Sequence, residues 1–487
     1  MPPAIAFTNL GCRLNIAESD ALAARFVAAG YRVVDAAEPA DVVVVNTCTV
    51  TGQADRKSRH ALYRAVRRGE RRNVHTGART KSQRHAGAAP RAATTASPPA
   101  RARQATWPLV VATGCYVTAQ GGVACELPGV DYAVDNDRKS GIFDLVVAHL
   151  AGEVVDPAAL PADPFGYRPG AQPLHTRATV KIQDGCDNFC TFCIIPTVRG
   201  RARSRPHRDI LDEARRLLDE GHRELVLTGV NIGRYRSGEW SFSRLLEEML
   251  DLPGDYRVRV SSLEPDPLDD RFVDLAGHER LCPHLHLCLQ SGSDRVLLRM
   301  RREYDVDAYL DLVDRIRAAW RRRGVPAHFT TDVMVGFPGE TADDFARTLE
   351  VCRAVDFGHI HTFRYSPRDG TRAARLAGAV PEPVKAERSA AVRALAAAGR
   401  RRLAQRLTGR RQQVLVEEIN GTFASGYGES YVRIRVPATG RRTRAGEWYP
   451  VTVTGRLPDD RLAARPDDPW PVPPRPGAPP DERRVCR

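Results

Sequence analysis

The sequence predicts an α/β protein with three folded parts: an N-terminal parallel α/β domain, a central open partial (β/α)6 barrel and a small C-terminal β-barrel. β-branched runs alternate with helical patterns over residues 1–155, and six strand–helix units follow over residues 174–406. Short alternating strand patterns then occupy residues 408–457. A chain of 487 residues is also too long for one ordinary core, so several domains are expected.

The first domain is predicted from three apolar, β-branched runs that are each followed closely by a cysteine. The cysteines are Cys12, Cys48 and Cys115, and the runs cover residues 4–7, 41–45 and 109–112. Ligands of open parallel sheets bind at the carboxyl ends of the strands, so we expect these three thiols to converge on one site. The alternative is three unrelated buried thiols, which are common in proteins.

Residues 71–106 interrupt this domain. They contain eight Lys or Arg, no Asp or Glu and almost no large apolar side chain, so they cannot bury a core. We interpret them as a disordered insertion, either a passive solvated loop or an arm that contacts nucleic acid. A Pro/Gly-rich stretch over residues 156–173 is interpreted as a linker.

The central barrel is predicted from strand patterns that alternate with helical ones. They cover residues 179–183, 224–228, 257–262, 284–290, 328–335 and 359–365. In such barrels the chemistry lies at the carboxyl ends of the strands. The first strand leads directly into the spacing CxxxCxxC, formed by Cys186, Cys190 and Cys193.

Three thiolates at this spacing can hold three irons of a 4Fe–4S cluster and leave the fourth iron without a protein ligand. An open iron can bind a small molecule and pass an electron to it. The alternative is a zinc knuckle, but zinc sites usually have four protein ligands in two pairs. No second CxxC follows this loop in the sequence.

Four alternating arginines follow the cysteine loop, at Arg199, Arg201, Arg203 and Arg205. Guanidinium groups clamp phosphates or carboxylates, so we expect these side chains to bind a polyanion, with a solvated face as the alternative. The formal charge of +14 and the pI near 9.5 agree with a nucleic-acid partner.

The C-terminal strand patterns cover residues 412–416, 422–427, 431–436 and 449–454, with Gly and Asn between them. They predict a small β-barrel of the oligonucleotide-binding sort. Residues 458–487 contain nine prolines and are predicted to be a disordered tail. Eleven cysteines in a chain without a leader pattern favour metal ligands in a reducing cytoplasm. No apolar run is as long as a membrane-spanning helix, so we expect no membrane partner.

Together these motifs resemble the radical SAM (S-adenosylmethionine) methylthiotransferase family over nearly the whole chain. Within it, several stretches are most similar to the tRNA N6-threonylcarbamoyladenosine methylthiotransferases. These are residues 181–190, 227–233, 261–265, 289–294, 332–340 and 365–371. Two departures are the insertion at 71–106 and Cys288, where relatives tend to have Pro.

The resemblance implies two 4Fe–4S clusters, SAM as cofactor and tRNA as partner. Cys186, Cys190 and Cys193 would hold the catalytic cluster that cleaves SAM to a radical, and the N-terminal cysteines would hold a second cluster that carries sulfur. The C-terminal barrel would be a TRAM domain. The expected SAM contacts are Thr228, Gly229, Asn231, Glu264 and Asp332. The sulfur donor and the electron donor are not identified by the sequence.

Three alternative functions stay open at this point. A sister enzyme acts on N6-isopentenyladenosine in tRNA, and another acts on an aspartate of a ribosomal protein. The basic charge and the TRAM-like stretch at residues 426–432 favour RNA over a protein substrate. A non-catalytic RNA-binding protein with a structural metal is the third alternative.

Overall fold

The computed structural model describes residues 2–75, 108–167, 176–438 and 443–467. The chain forms two compact units, Met1–Arg400 and Arg401–Arg487. The N-terminal and central parts, which the sequence analysis treats as two domains, therefore belong to one unit.

The N-terminal part is a five-stranded parallel sheet with the strand order β2-β1-β3-β4-β5. The strands are β1 (Ala4–Asn9), β2 (Arg32–Val34), β3 (Val42–Thr47), β4 (Leu109–Gly114) and β5 (Tyr132–Val134), and the helices are α1 (Arg13–Ala28), α2 (Gly52–His75), α3 (Cys115–Ala119) and α4 (Ile142–Leu150). Apolar clusters cover both faces of the sheet, which explains the continuous β-branched runs of β3 and β4.

Helix α2 changes one expected boundary. It continues to His75, so the insertion predicted to begin at residue 71 begins inside a helix. Residues 76–106 of that insertion lie outside the described part of the chain. The predicted linker also contains ordered chain, because a short 3-10 turn covers Pro157–Ala159 and Tyr167 is partly buried against the sheet core.

The central part is an open barrel of parallel strands. Its strands and inserted ribbons are β6 (Ala178–Lys181), β7 (Gln183–Asp184), β8 (Arg203–Ser204), β9 (Glu224–Thr228), β10 (Arg236–Ser237), β11 (Trp240–Ser241), β12 (Arg257–Val260), β13 (Ser262–Leu263), β14 (His284–Leu287), β15 (His328–Val335) and β16 (His359–Arg364). The helices are α5 (Ile195–Val198), α6 (His207–Asp219), α7 (Phe242–Leu250), α8 (Asp270–Leu275), α9 (Asp294–Met300), α10 (Val306–Arg322), α11 (Ala342–Val355) and α12 (Glu382–Leu407).

Parallel pairing runs β6-β9-β12 in one sheet and β13-β14-β15-β16 in the next, and β12 passes into β13 after one residue. Six successive parallel strands confirm the predicted open partial barrel. Alternate side chains such as Leu285, Leu287 and Ile360 enter the core under the helices. The residues that alternate with them along the strands, including His284 and His286, therefore face the opposite, inner side of the barrel wall.

The C-terminal unit is a closed five-stranded barrel with the order β17-β18-β19-β21-β20. Its strands are β17 (Arg411–Asn420), β18 (Phe423–Tyr427), β19 (Arg433–Pro437), β20 (Trp448–Arg456) and β21 (Leu462–Pro466). Both predicted boundaries need correction. Strand β21 lies beyond residue 457, because Leu462 and Ala464 complete the barrel core, and Leu403 and Leu407 of α12 belong to that core as well.

Residues 468–487 of the predicted tail lie outside the described chain. Among the helices of the described ranges, none combines the length and apolar character that crossing a membrane requires.

Candidate metal centres

The structure brings the three N-terminal cysteines to one edge of the first sheet. Cys12 follows β1, Cys48 follows β3 and Cys115 begins α3 directly after β4. These three strands are neighbours in the sheet, so their carboxyl ends lie side by side. Burial raises the pKa of the Cys48 thiol to about 11, and the charges of Cys115 and Cys12 add to that shift. The three sulfurs are therefore close enough to interact.

A glycine fixes the turn that carries Cys12. Gly11 has φ of +104°, a conformation that favours glycine, and a Cβ at this position would lie 2.9 Å from the Sγ atom of Cys48. Any larger residue would push the two cysteine turns apart. On the far side of the site, the side-chain amide of Asn136 donates to Sγ of Cys115 at 3.5 Å.

The CxxxCxxC loop follows β7 and is held by neighbouring segments. The backbone N–H of Thr191 donates to Met300 O at 3.0 Å, and the N–H of Ala373 donates to Thr191 O at 2.8 Å. Gly185, which precedes Cys186, has φ of +73°, and a Cβ there would collide with the carbonyl of Arg201. These contacts therefore hold the loop in a fixed shape.

A guanidinium group from outside the loop, that of Arg302, lies beside one of the thiols. Nη1 of Arg302 donates to Sγ of Cys190 at 3.2 Å, and the same guanidinium pairs with Glu264. Burial raises the pKa of Cys193 to about 12, and the charges of Cys190 and Cys186 add to it. Free thiols of this kind would stay protonated at neutral pH, whereas iron holds them as thiolates. A half-buried thiol set with a cationic donor beside it fits an iron–sulfur cluster.

The predicted SAM contacts at the second strand are held next to the cysteine loop. Asn231 is buried, its Nδ2 donates to Asn188 Oδ1 at 3.3 Å, and its Oδ1 makes no hydrogen bond. An unsatisfied buried acceptor beside the loop suits an ammonium group of a ligand. Thr228 O accepts from Ile182 N, and a Cβ on Gly229 would lie 2.7 Å from Ile232. Gly229 therefore also has a packing reason to be glycine.

The two predicted acidic contacts differ in their surroundings. Glu264 is tied to the cysteine loop through Arg302. Asp332 lies on the inner face of β15, with Oδ1 3.4 Å from Nε2 of His286.

The four arginines after the loop do not form one surface. Arg201 pairs with Asp187, Arg203 with Asp137 and Arg205 with Glu213, and these side chains range from exposed to largely buried. Their pairs are all on the protein itself.

The prediction that Arg199 binds phosphate is wrong. Its side chain is only 1% exposed, and its guanidinium donates to Glu18, Asp184 and Asn15. These acceptors already bind the guanidinium N–H donors that a phosphate would need.

Sequence reasoning missed the buried charge network to which Arg199 belongs. Its other members are Glu18, Lys139, Lys181 and Asp184, all nine-tenths or more buried. Nζ of Lys139 lies 2.5 Å from Glu18, and Nζ of Lys181 lies 2.8 Å from the same carboxylate. Glu18 is on α1 and Lys181 on β6, so the network joins the first sheet to the barrel. Glu18 and Arg199 are 181 residues apart in sequence, so no local spacing indicates the network.

Comparison with known proteins agrees with this layout. The family model "Radical SAM superfamily" matches residues 180–352, and the model "Uncharacterized protein family UPF0004" matches residues 4–86. The threonylcarbamoyladenosine tRNA methylthiotransferase MtaB of Thermotoga maritima is 34% identical over 464 residues, covering 94% of this chain and 96% of that protein. The Bacillus subtilis protein of the same name is 35% identical and covers 79% of this chain and 78% of its own length.

A relative with another substrate in its name is also similar. The tRNA-2-methylthio-N(6)-dimethylallyladenosine synthase of Acidithiobacillus ferrooxidans is 34% identical, covering 92% of this chain and 94% of that protein. Among solved structures, the radical S-adenosylmethionine methyltransferase TsrM of Kitasatospora setae has a TM-score of 0.52 at 15% identity, covering 77% of this chain and 74% of its own. That likeness supports the fold alone.

Proposed function

Because the chain belongs to the radical SAM methylthiotransferase family, we propose that it converts N6-threonylcarbamoyladenosine next to the anticodon of tRNA to its 2-methylthio derivative. The observation that carries this proposal is the 34% identity to the Thermotoga maritima enzyme over 94% of the chain and 96% of that protein. A second relative named for this substrate supports the same branch. The branch acting on N6-isopentenyladenosine is not favoured.

Two metal centres divide the chemistry. Cys186, Cys190 and Cys193 would hold a 4Fe–4S cluster that would supply the electron for SAM cleavage, and the N-terminal cysteines would hold a second cluster that would supply a site for sulfur. The protein's own part is to hold both thiol sets in place. Arg302 holds Cys190 by a hydrogen bond, and Gly11 allows the turns of Cys12 and Cys48 to touch.

Around the first thiol set, the residues assigned to SAM are Thr228, Gly229, Asn231 and Glu264. Oδ1 of Asn231 is the buried acceptor for the ammonium group, and Glu264 orients the donor Arg302. Water is excluded from this side of the loop by Phe192, which packs edge to face on Phe337 at 6.4 Å.

We assign tRNA binding mainly to the C-terminal barrel. Tyr427 and Tyr431 stack at 4.8 Å, and Arg435 lies 4.8 Å from the ring of the exposed Phe423. Aromatic faces beside guanidinium groups are how proteins hold unpaired bases and phosphates. Of the arginines after the cysteine loop, Arg201, Arg203 and Arg205 remain assigned to phosphate. A tRNA substrate and free cysteines support a cytoplasmic location for the proposed enzyme.

Replacing each cysteine set separately tests the division of labour. Anaerobically reconstituted protein should contain about eight irons, four in each cluster. The triple change C186A/C190A/C193A should remove about half of the iron and abolish 5′-deoxyadenosine formation from SAM. The triple change C12A/C48A/C115A should retain SAM cleavage and lose only the methylthiolated product.

The matched control is Cys125→Ala, a half-buried cysteine in the N-terminal part outside both sets, which should leave iron content and product unchanged. Continued 5′-deoxyadenosine formation by the first triple variant would contradict the assignment of the radical site. Full product formation by the second would contradict the assignment of the sulfur site.

A further inference from the structure

Three neighbouring strands of the barrel carry a polar group that the proposed function does not use. His286 lies on β14, Asp332 on β15 and His361 on β16. One ligand-type atom of each side chain lies within 4.8 Å of the other two. Imidazole and carboxylate groups are common ligands of divalent first-row transition cations.

The strand register produces this grouping. Asp332 pairs directly with His361, and His286 pairs with Thr330, two residues before Asp332 on the same face. The next residues along these two strands, Leu287 and Val333, enter the core on the other side of the wall. The backbone of the barrel therefore holds the three ligands together independently of their side-chain contacts.

The nearest pair has the spacing of two ligands on one ion. Nε2 of His286 lies 3.4 Å from Oδ1 of Asp332, yet this nitrogen makes no hydrogen bond, and His286 is 9% exposed. Two atoms bonded at about 2.1 Å to one tetrahedral ion lie about 3.4 Å apart. A buried nitrogen without a hydrogen bond, aimed at a carboxylate at this distance, is what a cation between them would explain.

We propose that His286, Asp332 and His361 form a binding site for one divalent first-row transition cation on the inner face of the barrel. The arrangement has two imidazoles and one carboxylate, with open positions on the exposed side of His361. In this site Asp332 serves the cation and not SAM. The inference does not depend on which substrate the enzyme modifies.

The neighbouring hydroxyl supports His286 as a ligand. Oγ1 of Thr330 lies 3.0 Å from Nδ1 of His286. When Nδ1–H donates to this hydroxyl, Nε2 keeps its lone pair toward Asp332. Metal-binding histidines typically have such a partner on the other ring nitrogen, and its removal weakens binding about 10- to 100-fold.

Two further groups lie beside the proposed ligands. The His359 ring is 4.5 Å from the ring of His361. The His359 nitrogen Nδ1 accepts from Arg400 at 3.0 Å, so this imidazole is directed away from ion binding. Arg13 is the cation that faces His361 from the N-terminal part.

Manganese binding by the cluster-loaded, oxidised enzyme tests the proposal. Mn²⁺ prefers nitrogen and oxygen ligands over thiolates, and its free aqueous EPR signal disappears on binding. The expected result is one bound Mn²⁺ per chain in the intact protein. His361→Gln and Asp332→Asn should each weaken binding at least about tenfold, and Thr330→Val about 10- to 100-fold.

Two controls keep the result decisive. His359→Gln changes an adjacent imidazole and His207→Gln a remote one, and both should bind Mn²⁺ within about twofold of the unchanged protein. Iron content and circular dichroism of each variant show that it is folded and loaded. Absence of one-to-one Mn²⁺ binding in the intact protein would overturn the proposal. So would variants His361→Gln and Asp332→Asn that bind Mn²⁺ as tightly as the intact protein.

Discussion

Arg302 is the residue that links the radical-site thiols to the barrel wall. It donates to Sγ of Cys190 and pairs with Glu264, and its side chain is only 3% exposed. A buried cation that donates a hydrogen bond to a cluster ligand stabilises the more negative, reduced state of a cluster. We therefore expect Arg302 to act as a positioning residue that favours reduction of the cluster proposed at this loop.

Replacing Arg302 by Met should lower the reduction potential of the radical-site cluster by tens of millivolts. The reason is that the reduced cluster loses both a hydrogen bond and a nearby positive charge. An EPR-monitored redox titration measures the shift. Arg301→Met is the matched control, because Arg301 is exposed and adjacent in sequence. An unchanged or raised potential in Arg302→Met would contradict this role.

Single residues were predictable where spacing carries the chemistry. CxxxCxxC and the cysteine after each of three strands identified both thiol sets. The arginines were not predictable in the same way, since alternation does not reveal which guanidinium is buried. Arg199 became part of an internal network through Glu18, which is 181 residues away in sequence. The contact of Arg302 with Cys190 likewise joins residues 112 positions apart in sequence.

At the scale of elements, α1 is anchored to the barrel by the carboxylate of Glu18. Burial alone would raise the pKa of Glu18, but Arg199, Lys139 and Lys181 outweigh it and hold the pKa well below its usual range. A carboxyl with a lowered folded-state pKa contributes stability above its unfolded pKa of about 4.3. That contribution is lost as the pH falls below this value toward the folded-state pKa.

Glu18→Gln should lower the free energy of unfolding at pH 7 by about 3–5 kcal/mol, because it leaves buried cations without their carboxylate. Between pH 7 and pH 5 the difference from the unchanged protein should stay constant, and it should shrink below about pH 4.3. Urea unfolding at several pH values measures both effects. Glu153→Gln, an exposed change in the same part of the chain, is the control. Equal stability of Glu18→Gln and the control at pH 7 would contradict the anchoring role.

Strand β21 is one of the elements that the sequence analysis missed, as it missed the short strands β2 and β5 of the first sheet. The five residues of β21 sit among prolines that favour disorder. It pairs with β19 and β20 and closes the barrel. Arg411 and Thr452 both bind Asp467, just beyond it. The prolines around this strand therefore favoured the prediction of a disordered tail, whereas its pairing is set by strands elsewhere in the barrel.

Ending the chain after residue 457 should open the barrel, whereas ending it after Asp467 should not. The shorter chain exposes the backbone edges of two strands and removes Leu462 and Ala464 from the core. We expect weakened tRNA binding and loss of the C-terminal unit's cooperative unfolding only in the shorter chain. Gel-shift and thermal unfolding measurements compare the two. Equal tRNA affinity would contradict the role of the closed barrel in binding.

At the scale of the whole molecule, the order of the folded parts could be predicted from sequence periodicity alone. Their grouping could not, since Met1–Arg400 forms one unit through buried charges that periodicity does not reveal. The start of the second unit at Arg401 lies inside α12 for a related reason. A continuous helix pattern does not indicate which turns pack against which core.

The proposed methylthiolation of N6-threonylcarbamoyladenosine can be tested by nucleoside mass spectrometry of tRNA from a strain that lacks the gene. The 2-methylthio derivative should disappear from tRNAs that read codons beginning with A, and N6-threonylcarbamoyladenosine should accumulate. The intact gene should restore it, and the C12A/C48A/C115A gene should not. The isopentenyl counterpart should persist throughout; its loss, with the threonylcarbamoyl derivative retained, would contradict the account.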